Sequence, residues 1–169
     1  MANSKNYNIE NGLTMIELVV AMGIFGLVSV MISSIFILSL QSQRRIIALR
    51  NVEDNTRFVM ESMSREIRTG KNFSSSGNSL SFTNAKGEMV NYRLNNNSVE
   101  KSSDGGSTYS PITGNSVVID YLNFYLMGQD AGDILQPRIT IALGITSNVG
   151  NHVVNIKSQT TVSARSLQN

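Results

Sequence analysis

The chain contains no cysteine and a single histidine, His152. The first absence excludes disulfide staples, so any folded part is held by its hydrophobic core. The two together exclude a His/Cys cluster for a transition metal, and no phosphate-binding loop is present. A Ser–His–acid site needs three converging groups, and serine is so abundant here that nearness to His152 in sequence carries no information. The sequence thus reads as that of a protein without catalytic residues and without a cofactor. Charge is also sparse, at 15% of residues. The longest gap contains the whole of Leu18 to Leu40, where there is no Asp, Glu, Lys, Arg, His or Pro.

That gap is what is there in place of charge. A helix needs about 20 predominantly apolar residues to cross a bilayer. The run is apolar all round rather than striped, which separates it from an ordinary core helix. It reads as a transmembrane segment over about residues 18–40. Without proline it has no obvious kink site. Gly23, Gly26, Ser29 and Ser33 fall roughly along one side, and small residues let helices approach closely in a membrane. The plainer account is that such residues are common in membrane spans.

Glu17 stands at the start of this run. A carboxylate facing hydrocarbon costs about 2.5–3.5 kcal/mol on insertion scales, so it marks either a partner or a local job. The local job is a capping box with Thr14, three residues earlier, at the helix N-terminus. The surrounding residues point to a partner. Gly12-Leu13-Thr14-Met15-Ile16-Glu17, followed by an uncharged helix, resembles the processing site of type IV prepilins and type II secretion pseudopilins. All six positions fit that family's pattern.

The resemblance carries several expectations. Residues 1–12 would be a cytoplasmic leader, cut after Gly12 by a prepilin peptidase. The new amine at Leu13 would be methylated. Glu17 would pair with the N-terminal amine of a neighbouring subunit, each group removing the other's desolvation cost within a bundle of helices. The partners implied are the peptidase, an inner-membrane assembly platform, and major and other minor pilins or pseudopilins. Two details depart from the family. Asn11, after Glu10, stands where a basic residue often precedes the glycine, and Lys5 is the leader's only side-chain cation. The many pilins with a disulfide-closed C-terminal loop also differ from this cysteine-free chain.

Orientation sets two arguments against each other. Arg44, Arg45 and Arg50 follow the apolar run, and a simple positive-inside count would place the C-terminal side in the cytoplasm. The processing motif places that side outside, because residues 1–12 must face a cytoplasmic peptidase. The expectation is an inner-membrane, single-pass protein with its head outside, later carried into a filament.

From Gln41 to Thr69 the helix continues with a different face. Leu49, Val52, Thr56, Val59, Met63 and Ile67 recur at steps of three or four and draw one apolar stripe. Glu53–Arg57 and Glu61–Arg65 lie four apart in the favourable order, and Gly70 stops the helix. Counted from Leu13, a helix over 13–69 would run roughly 85 Å at 1.5 Å per residue. Residues 51–68 also resemble the second helical half of minor pilins and pseudopilins, in particular the larger J and W types. The stretch 41–71 holds Arg44, Arg45, Arg50, Arg57, Arg65, Arg68 and Lys71 against Glu53, Asp54, Glu61 and Glu66. This basic excess next to the apolar run suits anionic head groups, or else a solvated face with internal ion pairs.

After Gly70 the period becomes alternating. Lys71–Ser79 reads as a loop. Leu80–Phe82, Glu88–Leu94, Val99–Lys101, Val117–Met127, Pro137–Ile145 and Val153–Ala164 read as strands with one buried face. Ser102–Asn115 and Gly128–Gln136 read as loops. In the second loop, Asp130 and Asp133 fall far short of the six to eight oxygens that calcium takes, so a turn is the better account.

The expected architecture is therefore α+β. A long N-terminal helix, 13–69, is half transmembrane and half amphipathic. It packs on a C-terminal antiparallel sheet, 70–169, that covers its stripe. The resemblance makes the chain a structural minor pilin or pseudopilin, with no nucleic acid directly indicated. The alternative is an unprocessed, single-pass membrane anchor with an outer ligand-binding head.

Overall fold

A computed structural model describes residues 12–128 and 136–165. Residues 1–11 of the expected leader and the carboxylates Asp130 and Asp133 lie outside the described residues. The fold is α+β, with one long N-terminal apolar helix and antiparallel sheets packed against it. The chain divides into two compact units, Met1–Ser42 and Gln43–Asn169.

Helix α1 spans Met15–Thr69, so Thr14 and not Leu13 stands at its head. Within the first unit its apolar side chains are exposed, and none of its apolar window is buried among the described residues. By length and composition this segment can cross a membrane. The hydroxyls of Ser29, Ser33 and Ser34 donate back to the carbonyls of Phe25, Ser29 and Val30 at 2.8–3.0 Å. Each serine thereby satisfies its own polar group without water.

The second unit has its core where the stripe meets the sheets. Strands β1 (Lys71–Ser75), β2 (Ser79–Thr83), β3 (Met89–Asn95), β4 (Ser98–Ser102) and β5 (Ser110–Pro111) form one antiparallel sheet in sequence order. Strands β6 (Val118–Met127), β7 (Arg138–Val149) and β8 (His152–Ser163) form a second. The single sheet expected from the sequence is thus two. They share one core, in which Val52, Val59, Met60, Met63 and Ile67 of α1 meet Phe82, Tyr92, Leu122, Ile141, Leu143 and Ile145.

The two sheets are joined through turns. The amide of Ile119 donates to the carbonyl of Asn97, and that of Phe124 to the carbonyl of Gly77. Both acceptors are in hairpin turns of the first sheet, so those turns cover the free edge of β6 and remove it as a pairing template. The Asn96–Asn97 turn has both residues at positive φ, 46° and 58°. That is the two-residue hairpin geometry whose twist matches the strands, and asparagine tolerates it.

Three expectations need correction. Lys71–Ser75 is a strand, not loop. Its Phe73 is buried against Phe82, with ring centroids 5.5 Å apart, while Ser and Asn on its open face disguise it. Leu49 is not in the core but 39% exposed. Ala48 and Met60 are buried in addition to the expected stripe, because the helix stripe drifts relative to a strict alternation of threes and fours. Finally, neither Glu53–Arg57 nor Glu61–Arg65 closes as an ion pair among the described residues. Such exposed pairs give up side-chain entropy for little Coulomb gain. Gly70 ends the helix without a positive φ. A Cβ there would sit 2.7 Å from Phe82 Cδ2, so its role is close packing.

Candidate functional site

The site that the sequence marks is the head of α1. Gly12 and Leu13 precede the helix, without regular structure and exposed, and among the described residues nothing beyond its chain neighbours lies within 4 Å of the point where a Cβ on Gly12 would be. The Gly12–Leu13 peptide bond is thus outside the helical hydrogen-bond ladder. The first ladder bond runs from the Leu18 amide to the Thr14 carbonyl, at 3.2 Å.

Thr14 and Glu17 form a reciprocal pair. The Glu17 amide donates to Thr14 Oγ1 at 3.3 Å, and the Thr14 amide donates to Glu17 Oε2 at 3.4 Å. This is a capping box. It satisfies two amides that a helix start otherwise leaves unpaired, and it puts negative charge at the positive end of the helix dipole. Glu17 Oε1 takes no hydrogen bond among the described residues. The carboxylate therefore has one oxygen committed to its own helix and one open to a partner. Thr14, Ile16, Val20, Ala21 and Ile24 surround it on the same face. A cation meeting Glu17 there would do so among apolar side chains, where a charge pair is stronger than in water.

Gly23, Gly26, Ser29 and Ser33 are on the same open helix further along, and the two glycines have free space beside them. His152 is half-buried at the start of β8, and no group of His, Asp and Glu converges to hold a metal among the described residues. Carboxylates of the head have structural work. Asp104 accepts from the amides of Ser107 and Thr108 and from the hydroxyls of Ser102 and Thr108. Those bonds hold its carboxyl well below the usual carboxylate range. Glu66 accepts from the Tyr92 hydroxyl at 2.8 Å and pairs with Lys101.

Sequence reasoning missed that last cluster. Glu66 is 26 residues from Tyr92 and 35 from Lys101, and only the β3–β4 register sets Tyr92 opposite Lys101. No local pattern announces such a meeting. No protein-family model, characterised protein or solved structure matches the chain.

Proposed function

We propose that the chain is a structural minor pilin or pseudopilin. It is made as a membrane-anchored precursor, trimmed by a prepilin peptidase between Gly12 and Leu13, methylated at Leu13, and assembled by its apolar helix into a type IV pilus-like or type II secretion filament. The observation that carries this reading is the register of Gly12, Leu13 and Glu17 with the start of α1. The bond to be cut lies outside the helix, the acid lies three residues inside it, and the uncharged run follows at once. The open Glu17 Oε1 supports the pairing role. Capping its own helix and meeting the Leu13 amine of a neighbour use different oxygens and do not compete.

In this reading the precursor sits in the inner membrane with its head outside, and its partners are the assembly platform and sister subunits. Glu17 is a register device, because an amine entering the apolar bundle is compensated only at one axial offset. The second reading, an unprocessed anchor with a ligand-binding head, draws on the closed capping box, which gives Glu17 a purpose inside a single chain. It leaves Gly12 and Leu13 without one.

The two part on the mature N-terminus. Mass spectrometry of the membrane fraction, from cells with an active prepilin peptidase, should find chains beginning at Leu13 with one added methyl group. Chains that retain Met1–Gly12 throughout would defeat the pilin reading and leave the anchor.

A further inference from the structure

The tip of the β7–β8 hairpin folds back onto the helix at Arg44. A Cβ placed on Gly150 would be 3.4 Å from Arg44 Nη1 and 3.7 Å from its Cδ. Gly150 is at φ 62° in the two-residue turn between Val149 and His152. The close seat of the arginine stem and the turn geometry both favour glycine there.

The surface around this contact has a distinct chemistry. Arg44, Arg45 and Arg50 are exposed, and none is held in an ion pair among the described residues. No acidic residue occurs on α1 between Glu17 and Glu53, and none in the hairpin from 146 to 156. The carboxylate of Asp120 meets this hairpin three register pairs below the tip, where it accepts from Thr146 and Asn155. The tip presents Asn148, Gly150 and Asn151 to solvent, with Val153 68% exposed beside them. Ile46 and Ile47, next to the arginines, are about half exposed. Unpaired cations, amide side chains and isolated exposed aliphatics suit the boundary layer of a bilayer better than bulk water.

Chain connectivity bounds the distance to the membrane. Arg44 follows Leu40, the end of the apolar run, by four residues. Four residues span at most about 14 Å however the chain runs, so Arg44 stays within reach of the head-group layer, roughly 5–7 Å on each side of the hydrocarbon. We propose that Arg44, Arg45 and the Gly150–Val153 tip form a docking surface for an anionic lipid membrane. The arginines meet the head-group phosphates, and Val153 enters the interface. The head then has a second attachment to the bilayer besides the span itself. The inference rests on α1 crossing the membrane but not on cleavage at Gly12 or on filament assembly.

The absence of cysteine makes the test clean. A single Val153→Cys substitution in the full chain carries a fluorophore, and the protein is placed in lipid nanodiscs containing head-group nitroxide quencher. The discs are either wholly zwitterionic or about one-third phosphatidylglycerol. Quenching at residue 153 should be strong in the anionic discs, weak in the neutral ones, and lost at high salt as charges are screened. Arg44→Gln with Arg45→Gln should lower the lipid-bound to free ratio of the tip roughly thirtyfold. The same fluorophore at Ser107→Cys, on a head loop, should respond to none of these changes.

Equal quenching in both discs, or quenching unmoved by the double substitution, would overturn the proposal while leaving the anchor intact. A chain that enters neither disc would overturn the anchor and the proposal together. Competition by duplex DNA that strips the tip from anionic lipid at equal charge concentration would reassign the surface to nucleic acid and overturn it as well.

Discussion

The Tyr92 hydroxyl, at the end of a fully buried ring, donates to Glu66 Oε2 at 2.8 Å. Glu66 Oε1 takes the Lys101 ammonium, so one carboxylate on α1 ties the helix to β3 and β4 together. Burial first, and the nearby Glu66 charge second, push the Tyr92 phenol well above its ordinary value. In the folded chain it stays protonated, whereas in the unfolded chain it ionises from about pH 10. Its contribution is therefore complete below about pH 10 and is lost as pH rises beyond, by about 1.4 kcal/mol per unit. Tyr92→Phe should cost about 1–2 kcal/mol at neutral pH for the lost bond. It should also flatten the alkaline slope, as read by urea melts on both sides of pH 10. A variant with the wild-type slope would show that other groups set it.

On α1 the core of the head is built from Val52 onward, with Ala48 buried one turn earlier, and every described residue of that core lies in the second unit. A chain reduced to Gln43–Asn169 is expected to be soluble and to melt cooperatively, followed by circular dichroism. In that fragment Met63→Ala should cost about 2–5 kcal/mol, as a fully buried large-to-small change. Leu49→Ala should cost less, about 1 kcal/mol, because that residue is 39% exposed and leaves no closed cavity. Equal costs at both positions would mean that the helix is rotated from the face described.

Tyr121 crosses β7 at Gly144, its register partner just past the bulge at Asp120. A Cβ on Gly144 would fall 2.7 Å from Tyr121 Cδ1. Gly144→Ala should therefore lift the ring off the sheet and cost about 1–3 kcal/mol. With Tyr121→Ala already present the same change should cost little, and a double-mutant cycle reads the difference. Additive losses would place the glycine's role in its backbone instead.

Glu17→Gln separates capping from pairing. Glutamine still completes the box with Thr14, so the helix start should persist. What is lost is the charge. If the open oxygen meets a neighbour's Leu13 amine, that amine is left uncompensated at a cost of several kcal/mol. The variant should be processed, folded and membrane-resident, yet poorly represented in sheared filaments compared with wild type. Equal representation would remove the pairing role from Glu17.

Some of this protein is local, and local features are legible in a sequence. The uncharged run, the Thr14–Glu17 box, the end of α1 at Thr69 and the alternating strands all depend on residues a few positions apart. A helix or strand face repeats at 3.6 or 2 residues whatever lies opposite. The contacts between distant segments were decided only in the tertiary structure. β1 was hidden because a single buried ring, Phe73, pays no visible periodicity in a run of Ser and Asn. The division into two sheets depends on where turns 20 and more residues away dock against β6, at Gly77 and Asn97. The Glu66–Tyr92–Lys101 tie and the seat of Gly150 on Arg44 are likewise meetings across the fold. Which residues meet at such separations is set by register and packing, and neither leaves a periodic trace along the chain.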